Sequence, residues 1–428
     1  MTDTIQKYRE FVERKQSLTK GVGFDPGPVS DVLFDYQGRI VQWALKRGRA
    51  AIFAGTGLGK TLMQCEINRH IPGRRLILCP LAVAPQTVKE ARMIGLDVSR
   101  EPIGDSGVQI VNYDRLDSVI HERWDSVTLD ESSIIKSQDG ATRNTILSAF
   151  SRVPYRFAFT ATPSPNDWTE LGNHAQFLGV ATHQEMLATY FMHDGGDTSK
   201  WRLKRHAQRD FWRWVGSWAA CFTSPAELGF DGSRHQLPPL EVVNHTIDVN
   251  YNPGGALFGG DVAATSLHDV LRETVSERVQ LASELARSGK GPCIIWCNGN
   301  DEQDQITKAI PGAVSVTGSM PSDTKERLLS GFSGGEFDVL VTKPSIAGFG
   351  MNWQHCDRMI FASLTFSYEM FHQAVRRCYR FGQKNPVTVH VISTSADSSV
   401  RDIINYKAEA FRTMSESMAL WNSQEIRA

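Results

Sequence analysis

Ala51-Ile-Phe-Ala-Gly-Thr-Gly-Leu-Gly-Lys-Thr61 is an apolar run that passes into a glycine-rich loop ending on Lys60 and Thr61. Its reading decides the fold. Ala51, Ile52 and Phe53 suit a buried strand, and Gly55, Gly57 and Gly59 let the backbone around Thr56 turn tightly enough for its N–H groups to surround phosphate oxygens. A helix from Lys60 through Arg69 then aims the positive end of its dipole at the same anion. In that geometry Lys60 reaches the β- and γ-phosphates of a nucleotide, and the Thr61 hydroxyl ligates Mg²⁺. Ala54 stands where the common form of such loops has glycine, and its small side chain still fits.

Upstream, Phe34-Asp-Tyr-Gln37 opens a helical pattern continued by Ile40, Val41, Ala44 and Leu45. The Gln37 amide can both donate and accept, as reading an adenine edge requires. Downstream, Arg75-Leu-Ile-Leu-Cys-Pro80 and Val108-Gln-Ile-Val-Asn-Tyr-Asp114 alternate with helical stretches, which predicts a parallel sheet with right-handed crossovers and a site at the carboxyl ends of its strands. The next run, Asp125-Ser-Val-Thr-Leu-Asp-Glu131, closes on two carboxylates seventy residues after Lys60. Asp130 is placed to hold Mg²⁺, and Glu131, one residue further out, to orient or deprotonate an attacking water. Phe157-Ala-Phe-Thr-Ala-Thr-Pro163 is a further strand that ends on two hydroxyls.

At 428 residues the chain is long enough for two domains, and its 41% apolar and 22% charged residues are ordinary for a globular protein. The first twenty residues are too polar for a secretory signal, and no apolar run approaches the ~20 residues that span a bilayer, so a cytoplasmic protein without membrane contact is expected. Seven cysteines never fall in a Cys-x-x-Cys pair, which argues for buried thiols and against a structural metal. A net charge of −1 gives no general attraction to nucleic acid, so such binding has to come from local patches. One candidate lies between Lys200 and Trp218, where Arg202, Arg205, Arg209 and Arg213 recur at helical spacing and Phe211, Trp214, Val215 and Trp218 mark another face. An arginine stripe on phosphates and a solvated stripe over packed tryptophans are both open readings.

Taken in order, Tyr36-Gln37, Gly57-Leu-Gly-Lys-Thr61, Ile77-Leu-Cys-Pro80, Asp130-Glu131 and Thr160-Ala-Thr-Pro163 resemble the motifs of superfamily-two helicases, more narrowly the Swi/Snf-like double-stranded-DNA translocases. Lys343-Pro-Ser-Ile-Ala-Gly-Phe-Gly-Met-Asn352 and Gln373-Ala-Val-Arg-Arg-Cys-Tyr-Arg-Phe-Gly-Gln383 resemble the second-lobe motifs. The resemblance implies two RecA-like α/β lobes with parallel sheets, with a helical, Trp- and Arg-rich insert between them. The expected limits are a polar N-terminal segment over 1–33, a first lobe over 34–178, an insert over 179–264, a second lobe over 265–400 and a C-terminal helix over 401–428 packed on the second lobe. It also implies ATP and Mg²⁺ as ligands, with Gly350 and Gln373 joining the nucleotide contacts. Arg377 and Arg380, three residues apart and expected on one helical face, are the arginine fingers, and Thr160 and Thr162 relay nucleotide state. The implied partner is nucleic acid, by analogy double-stranded DNA, with a separate protein for targeting. An RNA helicase on the same lobes, or a nucleotide-gated DNA- or protein-binding module with weak ATPase activity, are the alternatives. The family pattern follows its Asp-Glu with Ala-His; here Ser132-Ser133 follows, and the histidine link to the coupling motif is missing.

Overall fold

The central strands of the first unit are buried on both faces, as in a parallel sheet covered by helices on both sides. The computed structural model describes residues 22–137, 139–194, 197–248, 264–347, 351–395 and 397–427. These fall into two compact units: the described residues up to Arg234 together with those from Ala410 onward, and His235–Glu409.

In the first unit, β1 (Arg49–Ala54), β2 (Arg74–Cys79), β3 (Val98–Ser99), β4 (Gly107–Asn112), β5 (Ser126–Asp130) and β6 (Tyr155–Thr160) form one parallel sheet. The hairpin of β7 (Phe191–Asp194) and β8 (Asp197–Leu203) stands apart, and β9 (Ala219–Phe222) completes the sheet in the order β3-β4-β2-β5-β6-β1-β9. The strands β5, β6 and β1 are therefore adjacent, and their carboxyl ends carry the acidic pair, the two threonines and the glycine-rich loop. Register keeps these ends level: Phe53 pairs with Thr160, and Asp130 with Phe159. Ser126 and Thr128, unusual for a central strand, are both buried, and Thr128 Oγ1 accepts a 3.0 Å hydrogen bond from Asn68 on the helix Lys60–His70.

The Trp- and Arg-rich stretch corrects the sequence reading in two ways. Arg202 lies on β8 and Arg205 in a 3-10 turn, so only Arg209 and Arg213 share the helix Gln208–Gly216. Long Lys, Trp and Arg side chains match a helical period here, but Phe191–Asp194 pairs with Asp197–Leu203 in antiparallel register. The stretch expected as an insert is also divided between the units, because β9 pairs in parallel with β1. Phe211, Trp214 and Trp218 are buried in the core of the first unit beside Tyr190 and Phe191, while all four arginines are exposed.

A second correction concerns the helix Ser398–Arg427. Its periodic face was expected against the second lobe, yet Met414 and Met418 are fully buried in the first unit's core, with Phe411 and Trp421 packed against it. Asn422 explains the preference: its Oδ1 accepts from the Cys221 N–H and its Nδ2 donates to the Ala219 carbonyl, both at 2.8 Å, so one side chain satisfies the outer edge of β9.

The second unit holds β10 (Leu240–Ile247), β11 (Cys293–Trp296), β12 (Val314–Val316), β13 (Val339–Thr342), β14 (Arg358–Phe361) and β15 (Val387–Thr394), all parallel, in the order β10-β15-β14-β11-β13-β12. A buried pair, Arg278 with Asp397 at 2.5 Å, pins the helix Val275–Ser288 to the end of β15, with further bonds from Arg278 to the Ala362 and Ile392 carbonyls. All seven cysteines are buried and unpaired. Among the described residues, no helix is long and apolar enough to cross a membrane.

Candidate nucleotide-binding site

The glycine-rich loop turns out of β1 straight into the helix Lys60–His70, with Gly57 at φ 87° and Gly59, the helix N-cap, at φ 74°. Gly59 is required twice over. Its backbone is left-handed, and a Cβ there would lie 2.2 Å from Gln37 Nε2. Lys60 extends its ammonium back over the loop to the Ala54 carbonyl at 2.9 Å and the Gly55 carbonyl at 3.5 Å. Thr61 stands half-buried beside it in the first helical turn, and Thr56 is half-buried within the loop.

Gln37 is 3% exposed and tied into the protein: its Oε1 accepts from the Phe34 N–H at 3.0 Å, and its Nε2 donates to the Leu58 carbonyl at 3.1 Å and to the Tyr36 hydroxyl at 3.2 Å. Tyr36 donates to the same Leu58 carbonyl at 3.1 Å. Both amide protons of Gln37 thus go to the loop and its neighbour, so in this arrangement the residue shapes the phosphate loop.

Opposite the loop, Asp130 is buried at the end of β5. Burial first, and then the Glu131 carboxylate, push its acid group well above the ordinary range, against the pull of Gln64 and Lys60. A buried acid held by so few donors is the donor chemistry a divalent cation would satisfy. Gln64, fully buried one helical turn after Lys60, points the same way, since its amide makes no direct hydrogen bond of ordinary geometry although its dipole acts on Asp130. The donor set of Thr61, Asp130 and a phosphate-binding loop fits Mg²⁺ with a nucleotide. Tyr113 buttresses the strand end by donating to the Asp130 carbonyl at 2.7 Å. Thr160 and Thr162 are fully buried on β6 and its exit, and the Thr162 N–H donates to Thr160 Oγ1 at 3.1 Å.

In the second unit, the segment after the helix Tyr368–Val375 departs from the expected single helical face, because the helix stops before Arg377 and Arg380 are reached. Arg377 is 4% exposed; it donates to the Gln373 carbonyl (3.1 Å), Gln373 Oε1 (2.9 Å) and the Met351 carbonyl (3.1 Å). Arg380, half-buried, reaches the same Met351 carbonyl at 3.3 Å. Gln373 thereby acts as the clamp on Arg377. Gly350 lies outside the described residues.

Sequence reasoning passed over Gln64, Tyr113 and His174. Gln64 had a usable signal, four residues after Lys60 and so on the same helical face. Tyr113 and His174 had none, because their partners are brought to them by the sheet.

Residues 277–382 match the helicase conserved C-terminal domain. A protein described as a probable ATP-dependent DNA helicase, CHR12 of Arabidopsis thaliana, is 21% identical over 492 aligned positions, covering 95% of this chain and 44% of its own length. The chain therefore spans less than half of that relative. Among solved structures, the Sulfolobus solfataricus SWI2/SNF2 ATPase core in complex with double-stranded DNA aligns over 94% of this chain and 96% of its own, with a TM-score of 0.44 and 16% identity. With a match to the helicase conserved C-terminal domain in the second unit, and motifs that resemble those of helicases in order through the first, the chain is similar to the superfamily-two helicases.

Proposed function

We propose that the protein hydrolyses ATP with Mg²⁺ and couples the hydrolysis to movement along double-stranded DNA. The observation that carries this reading is the level alignment of three adjacent strand ends, which brings Lys60 and Thr61, Asp130 and Glu131, and Thr160 to one rim of one sheet. There Lys60 would bind phosphate oxygens, Thr61 and Asp130 would hold the cation, and Glu131 would orient a water and receive its proton. Mg²⁺, when bound, supplies positive charge to the phosphoryl oxygens. The loop N–H groups and the helix N-terminus add to that charge without needing to reorganise. Arg377 and Arg380 are proposed as the second unit's contribution to phosphate charge, and the exposed Arg202, Arg205, Arg209 and Arg213 as contacts to the nucleic-acid backbone.

Phosphate release measured in parallel with duplex DNA, single-stranded DNA and RNA tests the proposal. Duplex DNA is expected to stimulate most. Lys60→Ala and Glu131→Gln are each expected to lower the stimulated rate at least ~100-fold, on the scale of losing a charge-stabilising or proton-transfer group. Full turnover in Lys60→Ala would sink the assignment, stimulation by RNA alone would favour an RNA helicase, and tight ATP-dependent DNA binding without phosphate release would favour a nucleotide-gated module.

A further inference from the structure

We infer that His174 is a positioning residue for hydrolysis: through a buried hydrogen bond to Ser132 it fixes the backbone that carries Glu131. The inference rests on reading Glu131 as the residue that orients the attacking water.

Glu131 is the one non-glycine residue with positive φ among the described residues, at φ 49° and ψ 53°. A left-handed conformation at a residue with a side chain persists only where the surroundings hold it. Glu131 is also the N-cap of the 3-10 helix Ser132–Ile135, and its carbonyl accepts from the Ile134 N–H at 3.2 Å. Whatever anchors Ser132 therefore sets the direction in which the Glu131 carboxylate leaves the strand.

The anchor comes from forty-two residues further along the chain. Ser132 Oγ lies 3.0 Å from His174 Nε2, and both residues are fully buried. Burial lowers the His174 ring to about 4, so the ring is neutral and able to accept the serine proton. Its edge meets the Phe53 ring at 5.2 Å and 79°, on the strand that feeds the phosphate loop. The helix that carries His174, Leu171–Leu178, holds the same segment at Lys136 and the next helix, Ala141–Ala149, at Arg143. Asn173 donates to the Lys136 carbonyl at 2.8 Å, and Arg143 donates to Asn173 at 3.1 Å and to Gln176 at 2.9 Å. This helix is the first α-helix after the Thr160–Pro163 exit of β6, so the element that anchors the acidic strand end is carried by the chain leaving the threonine strand end. A core histidine present only for packing would not need a ring nitrogen 3.0 Å from the hydroxyl of the residue beside the acidic pair. The histidine that the family pattern places two residues after the acids is Ser133 here, and a histidine reaches this segment instead from the helix Leu171–Leu178.

The experiment is steady-state ATPase kinetics of the full chain with duplex DNA, together with nucleotide affinity, for Ser132→Ala, His174→Leu, the double variant, Ser132→Thr and His174→Gln. The first two are expected to lower kcat ~10–100-fold, the cost of misplacing a catalytic group by about an ångström, with KM and nucleotide affinity unchanged. The double variant should be no slower than the slower single. Thr and Gln keep the hydroxyl and an acceptor, and should retain most of the rate. Unchanged kcat in either single variant, losses that multiply in the double, or a loss confined to KM would overturn the inference. Glu131→Gln separates the two levels: if it leaves kcat intact, the reading of Glu131 and this inference fall together, and if it abolishes turnover while His174→Leu does not, only this inference falls.

Discussion

At the scale of single residues, His174 shows how the fold sets a charge state. The ring has an ordinary value of 6.5 and a folded value of about 4, with burial as the cause and the Glu170 carbonyl opposing it. A base that is harder to protonate when folded contributes stability above its unfolded pKa, and that contribution is lost as pH falls from about 6.5 towards about 4. The loss is on the order of 3 kcal/mol across that window. Denaturant unfolding of the wild type and of His174→Gln at several pH values should show the gap between them shrinking through that range. A constant gap would mean that the ring is already charged in the folded protein. Gln37 makes a related point from the opposite direction. Its amide is suited to a purine edge, but its protons go to Leu58 and Tyr36, a contact that no motif spacing reveals.

Among elements, what was legible in the sequence is the set of strands buried on both faces. β1, β2, β6 and β11 are short, largely apolar runs with abrupt ends, and their burial on both faces suits the interior of a sheet. That Lys60, Thr61, Asp130, Glu131 and Thr160 would stand at strand ends was legible for the same reason, since a strand end fixes where the next residue emerges. The hairpin over 191–203 was not, because a basic and aromatic stretch with 3.6-residue spacing also satisfies a two-stranded ribbon. Nor was the partner of the last helix, since periodicity defines a face without saying what covers it. The turn after the helix Tyr368–Val375 was misjudged as helix continuation, and this separates two arginines that looked equivalent. Arg377→Ala removes three hydrogen bonds from a buried cation and should destabilise the second unit by about 3 kcal/mol or more. Arg380→Ala removes a half-buried donor to the Met351 carbonyl and should cost less stability than Arg377→Ala, on the order of 1 kcal/mol, while still lowering ATP turnover. Thermal unfolding and ATPase measured on the same preparations check the split; equal destabilisation by the two changes would contradict it.

For the molecule as a whole, the two units differ in how the chain builds them. The second is one continuous stretch, His235–Glu409, whereas the first is completed by residues from Ala410 onward. Asn422→Ala should therefore weaken the first unit, by about 2 kcal/mol for two lost buried hydrogen bonds, and hydrogen exchange at the Cys221 amide should accelerate. An exchange rate at Cys221 unaffected by the substitution would show that the edge of β9 is protected by something else. The same closure has a consequence for biosynthesis. A ribosome delivers the glycine-rich loop well before the methionines that fill the core beneath it and the asparagine that seals its outermost strand, all of which lie on the helix Ser398–Arg427. The first unit therefore stays incomplete until that helix has been made, and its maturation waits on the unit made in between.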